Sequence, residues 1–167
     1  MRRVAFLRGV NVGGKGKVPM ADLKKVMEEA GASNVVTYIQ SGNVAFDGPA
    51  ALNAKKLETA IEKHFKLNVS VAVRTHAQIK KVMDDCPYDD TSLVHVGFLV
   101  TKPKTTDIDV SQFAPEEFTK KGDEIYFYLP NGVGNSKMMV FLSRRLGADM
   151  TVRNWNTVTK MLELSKK

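Results

Sequence analysis

The chain has 167 residues, 43% of them hydrophobic and 26% charged, with a formal charge of +7. That composition supports a packed core and excludes a largely disordered chain. No apolar run approaches the roughly 20 residues that span a bilayer, and a single cysteine, Cys86, excludes an internal disulfide or a thiolate metal cluster.

The first elements follow from local pattern. Met1-Arg2-Arg3 ahead of Val4-Ala5-Phe6-Leu7 has the look of a signal peptide, but Arg8 interrupts the apolar run and no small-residue cleavage site follows, so Arg3–Gly9 reads as a strand. Val10–Lys17 is a Gly-rich loop, and Pro19 suits the first turn of a helix. Met20, Leu23, Val26, Met27 and Ala30 then recur at helical spacing until Gly31. Val35–Gln40 and Val44–Phe46 form strands around a Ser41-Gly42-Asn43 turn. A helix from Leu52 to Phe65, a strand over Val69–Arg74 and a helix over Thr75–Asp85 capped by Thr75 complete the first half. Cys86 beside Pro87 reads as a half-buried thiol of a reducing, cytoplasmic compartment.

The second half repeats the order. After the polar connector come a strand over His95–Val100, a loop over Lys102–Ser111, a hairpin of Glu116–Lys120 and Glu124–Leu129, and a second Gly-rich loop over Pro130–Asn135. A helix over Ser136–Leu146, a strand over Met150–Arg153 and a last helix bearing Trp155, Val158, Met161 and Leu162 follow. Three blocks match in order: Val4-Ala5-Phe6-Leu7 with Val96-Gly97-Phe98-Leu99, Ser41-Gly42-Asn43 with Lys121-Gly122-Asp123, and Lys66–Thr75 with Arg145–Asn154. Tyr38 pairs with Phe118 in this alignment, and Arg74 with Arg153. The expected architecture is α+β: two intertwined ferredoxin-like repeats, each β-α-β-β-α-β plus a trailing helix, with antiparallel or mixed sheets and helices packed on one face. The first repeat covers residues 1–86, a connector 87–92 and the second repeat 93–167, which can still pack as one compact domain.

Two loop clusters attract attention as anion sites. In the first, Arg8, Asn11, Gly13, Gly14, Lys15 and Lys17 lead into a helix, and Gln40, Ser41 and Asn43 lie at the same sheet end. Backbone N–H groups, a helix N-terminus and cations together suit a phosphate. In the second, Gly132, Gly134, Ser136 and Lys137 precede a helix, and Arg153, Asn154, Trp155 and Asn156 open the last one. Trp155 serves as a core anchor or a stacking platform. Arg74 and Arg153, at equivalent positions, suit a shared structural role such as pairing with a carboxylate. His64, His76 and His95 lack metal-ligand spacing, so no metal and no cofactor are expected, and no acid–base pair declares itself.

Four blocks carry a family likeness: Ala5–Gly14, Tyr38–Asn43, Gly132–Lys137 and Arg153–Val158. They resemble the bacterial domain of unknown function 1697 family over nearly the whole chain. The resemblance implies a small cytosolic bacterial protein of two intertwined α+β repeats and leads one to expect Arg or Lys where Asn135 stands. It brings no activity with it. Three readings follow: a binder of a phosphate-bearing ligand, nucleic acid or nucleotide; an enzyme acting on a phosphorylated or acidic metabolite; and a protein-interaction module. No membrane partner is expected.

Overall fold

A computed structural model describes residues 1–14 and 16–166. Among them, eight strands and five α-helices form an α+β fold. The first half runs β1 (Arg2–Leu7), α1 (Met20–Glu29), β2 (Ser33–Tyr38), β3 (Asn43–Asp47), α2 (Ala54–Phe65), β4 (Val71–Thr75) and α3 (His76–Asp84). The second runs β5 (Val94–Leu99), β6 (Glu117–Lys121), β7 (Glu124–Tyr128), α4 (Lys137–Arg145), β8 (Met150–Asn154) and α5 (Trp155–Leu164). A single 3-10 turn, Ser111–Phe113, stands between β5 and β6, where the first half has a helix.

The strands make two four-stranded sheets, β2-β3-β1-β4 and β6-β7-β5-β8, in the same order and with every pairing antiparallel. Their registers superimpose. Phe6 faces Asn43 as Phe98 faces Glu124, and Val4 faces Arg74 as Val96 faces Arg153. The hairpins differ in length: the last pair of the first is Tyr38 with Asn43, that of the second Lys121 with Glu124. The counterpart of Asn43 is therefore Glu124 and that of Tyr38 is Lys121, which corrects the alignment expected from the turn residues.

Alternation along the strands sends successive side chains to opposite faces. Ala5, Leu7, Val44, Phe46 and Val71 pack under α1 and α2. Val4, Phe6, Ala45 and Ala72 turn the other way, into a central cluster with Val96, Phe98 and Tyr126 of the second sheet and with Ile79, Val82, Val158 and Met161 of α3 and α5. Phe6 and Phe98 stack there with ring centroids 4.3 Å apart. Ile125, Phe127 and Leu99 complete a third cluster with Met138 and Leu142 of α4. Helices thus cover the outer face of each sheet, as expected, but the inner faces meet each other and the trailing helices. The central strands β1 and β5 are buried on both faces, which explains their nearly unbroken apolar sequence.

The trailing helices begin alike. Thr75 caps α3 in a reciprocal capping box with Gln78, and Asn154 caps α5 by accepting from the Thr157 N–H. No described helix is long and apolar enough to cross a membrane.

Candidate functional site

The sheet end where β1 stops is tied together by local chemistry. Asn11, at φ 57°, accepts from the Val18 N–H through Oδ1 and donates through Nδ2 to the carbonyls of Val18 and Gln40. That bridges the β1–α1 loop to the β2–β3 hairpin. Gly42 closes the contact: at φ 85°, a Cβ there would lie 2.8 Å from Leu7 Cβ and 2.9 Å from Val10 Cγ2.

Arg153 then reaches into this end from β8 of the other sheet. Its Nε donates to Asn43 Oδ1 at 2.6 Å, one terminal nitrogen to Leu7 and Ser41 oxygens at 2.6 and 2.9 Å, and the other to Thr151 Oγ1 and the Val152 carbonyl at 2.5 and 3.0 Å. The guanidinium also lies over the Phe6 ring, 5.6 Å from its centroid. All five donors are occupied, every partner is neutral, and the side chain belongs to a residue only 8% exposed. Burial lowers its pKa to about 10, so it stays charged at neutral pH.

Arg74 makes the mirror-image reach into the second sheet. It donates to the carbonyls of Leu99 and Asp123, the counterparts of Leu7 and Gly42, at 2.8 and 3.3 Å, and lies over Phe98. Its Nε meets Glu124 Oε2 at 2.8 Å, where Arg153 meets an amide.

A cleft of about 440 Å³ opens beside Arg153. Arg8, Gly9, Val10 and Val12 form one lip and Ser41 the end. Met139 and Ser143 of α4, Leu146, and Met150 to Val152 of β8 form the opposite wall. Arg8 is bridged across it to Asp149 at 2.9 Å, with both side chains about half exposed at 52% and 49%. A few polar groups, Arg8, Ser41, Ser143, Thr151 and Arg153, thus stand in a largely apolar lining.

The family model described as "Protein of unknown function (DUF1697)" matches residues 1–126. The chain belongs to the DUF1697 family. A solved structure of similar fold, the conserved bacterial protein SP0830 from Streptococcus pneumoniae, is 25% identical, with a TM-score of 0.73 and coverage of 99% of this chain and 98% of that one. No match was found among curated proteins.

Of the residues singled out by sequence, this DUF1697 chain brings Arg8, Ser41 and Arg153 to the cleft. Asn11 and Asn43 lie beside it with their side chains engaged internally; Asn43 is fully buried and donates to Tyr38 O and Ser41 Oγ. Gly13, Gly14 and Lys17 are exposed in the loop beyond, Gln40 is exposed at the hairpin tip, and Lys15 lies outside the described residues. Apart from Arg153, the second cluster stays out of the cleft lining. Ser136 is the buried N-cap of α4, accepting from Met139 N–H, while Gly132, Gly134 and Lys137 are in the turn and first residue around it. Asn154 caps α5, Asn156 is exposed and Trp155 packs against the central cluster. Sequence reading missed Asp149 and the apolar wall. The Arg74–Arg153 equivalence was the available signal that a strand-end arginine crosses between halves.

Other chemistry is sparse. His76 Nδ1 lies 2.7 Å from Ser165 Oγ, but that hydroxyl is buried and donates to the Leu162 carbonyl, which makes the pair a tie between α3 and the end of α5. Burial lowers the pKa of His95, whose Nδ1 has no hydrogen-bond partner. Among the described residues, no group of three His, Cys, Asp or Glu gathers as a metal site would require.

Proposed function

We propose that the protein binds a small phosphate-bearing ligand in the cleft beside Arg153, with the anionic group against Arg8 and the apolar or aromatic body along Met139, Leu146 and Met150. The observation that carries this reading is the buried Arg153 guanidinium, held by neutral groups alone. A desolvated charge without a counterion projects its field into the nearest cavity and favours an anion there. Arg153 supplies field and not contact, because its N–H groups are all engaged. Contact falls to Arg8, whose half-exposed pair with Asp149 is worth at most about 1 kcal/mol and is readily exchanged for a ligand. Ser41 adds a neutral donor, its hydroxyl oxygen accepting from Asn43 Nδ2, and Ser143, which donates to the Val140 carbonyl, offers an acceptor. The volume falls within the roughly 300–1,000 Å³ of small-molecule sites, which favours a nucleotide-sized ligand over a nucleic-acid strand.

The test is a thermal-shift series of phosphate monoesters with and without an aromatic body, at low and high salt. Binding in the cleft raises the melting temperature and survives moderate salt. If the only binding detected is of oligonucleotides, and it vanishes steeply with salt, the charge is serving a nucleic-acid surface instead. If nothing in the series shifts the transition, the reading is wrong.

We also infer that the chain is a duplicated ferredoxin-like unit of a cytosolic protein, folding as one body. Support comes from the identical strand orders, the matching registers, the shared central cluster and the reciprocal arginines. Urea unfolding followed by Trp155 fluorescence and far-UV circular dichroism is expected to give coincident transitions; two separated steps would mean independent halves.

A further inference from the structure

The internal repeat places a second cleft at the counterpart of the first. Arg74 lies at its base in place of Arg153, and the segment after β5 forms its wall in place of the segment after β1. It encloses about 670 Å³. Three lysines line it from two separate elements: Lys102 and Lys104 from the segment after β5, and Lys120 from β6. All three are exposed, and among the described residues none is in an ion pair. Asp123 at the rim offsets one of them, while the carboxylate of Glu124 is already engaged by Arg74.

The lysine-bearing wall is anchored. The N–H groups of Val100 and Thr101 donate to the Asp149 carbonyl at 2.8 and 3.3 Å, and the Asp149 N–H donates back to Thr101 Oγ1 at 2.8 Å. The Lys104 N–H donates to the Leu146 carbonyl at 2.7 Å. The stem of Lys104 lies flat on Gly147, where a Cβ would come within 2.7 Å of Lys104 Cδ. The backbone thus keeps Lys102 and Lys104 beside the cleft, and the Lys120 ammonium donates to the Gly122 carbonyl in its lining at 2.7 Å. The mutual repulsion of the three ammonium groups is relieved by an anion between them.

The two clefts differ in lining. Methionine, leucine and valine wall the first; the segment Thr101 to Thr106 gives the second hydroxyls, which donate to or accept from a polar ligand. Lysines act as point charges without the planar fork that reads a single carboxylate. Several of them around a polar space match several negative groups in a row. We propose that this second cleft binds linked phosphates, the chemistry shared by inorganic oligophosphate and the tail of a nucleoside triphosphate. The inference stands apart from the reading of the first cleft.

Isothermal titration of the full chain with inorganic tripolyphosphate, at low salt, is the test. The variant Lys102→Gln/Lys104→Gln/Lys120→Gln alters only exposed side chains, and a thermal melt checks that it folds. Its affinity is expected to fall roughly tenfold or more, while Lys24→Gln/Lys25→Gln, exposed on α1 and in the lining of neither cleft, stays within about twofold of the native chain. A nucleoside triphosphate distinguishes the sources. Equal affinity for both ligands assigns recognition to the phosphates alone, and tighter nucleotide binding that the triple variant abolishes places the nucleoside in the same cleft. The proposal is overturned if the native chain does not bind tripolyphosphate, if the triple variant binds as tightly as the native chain, or if Lys24→Gln/Lys25→Gln lowers the affinity as much as the triple variant does.

Discussion

Arg74 and Arg153 stand at the same register position in two sheets of the same order, and each crosses to fasten the hairpin of the other sheet. The partner at the equivalent hairpin position separates them: Glu124 for Arg74, Asn43 for Arg153. One fastening carries its own counterion; the other leaves a buried charge facing a cleft. A shared structural job therefore yields two electrostatic outcomes, decided by one side chain on the opposite sheet.

Removing the uncompensated arginine gives the largest effect. Arg153→Met leaves Leu7 and Ser41 carbonyls and Asn43 Oδ1 without their donor in a buried place. Unmet buried acceptors cost about 1–3 kcal/mol each, and loss of the misplaced charge returns part of that, so a net loss of about 3 kcal/mol is expected by urea unfolding. The loss should vary little between pH 5 and 8, since no titrating partner is exposed by it. A net cost below about 1 kcal/mol would mean that the crossing does not hold the halves together.

Arg74→Met costs slightly less, and its cost depends on pH. It strands Glu124, whose carboxyl is already pushed above its usual pKa by burial despite the hydrogen bond and charge of Arg74. Without Arg74 the folded-state pKa rises further. The folded form then keeps a proton that the unfolded chain releases near pH 4.5, so stability falls as pH rises from about 4.5 through the elevated folded value. The expected loss is about 2–3 kcal/mol at pH 7 and smaller at pH 5. The comparison breaks if the two methionine variants show the same pH profile.

The elements of the fold were readable because their signals are local. Periodicity, Pro19, Gly31, Thr75 and the turn residues placed each strand and helix near its position. The error in matching the hairpins, one residue on β3 and β7 and three on β2 and β6, arose because Gly42 and Gly122 look alike, whereas register is set by which residue faces Phe6 or Phe98. The inner sheet-to-sheet contact had a signal in the unbroken run Val4–Leu7, which a strand with one solvated face would not carry. The candidate site was only partly readable. Arg8, Ser41 and Arg153 were among the residues chosen, but their meeting depends on a contact between distant parts of the chain that no spacing encodes. The asparagines drawn in with them are short side chains at turns and caps, and such side chains bond to nearby backbone first.

The smallest structural effect separates ligand chemistry from stability. Arg8 touches no buried acceptor and shares only a half-exposed pair with Asp149, so Arg8→Gln should alter unfolding by less than about 0.5 kcal/mol. Its influence on a phosphate monoester in the first cleft should be far larger, because there the guanidinium is the contact group next to a fixed positive field. Charge-assisted hydrogen bonds contribute roughly 1.5–3 kcal/mol, so an affinity loss of about tenfold or more is expected by titration at constant salt. The two fastenings predict where that loss stops: Arg153 still biases the cleft toward anions in the variant, so weak binding should persist and still favour a dianion over a monoanion. Equal and undiminished binding in Arg8→Gln would place the ligand elsewhere and leave Arg153 as a structural arginine whose missing counterion serves no ligand.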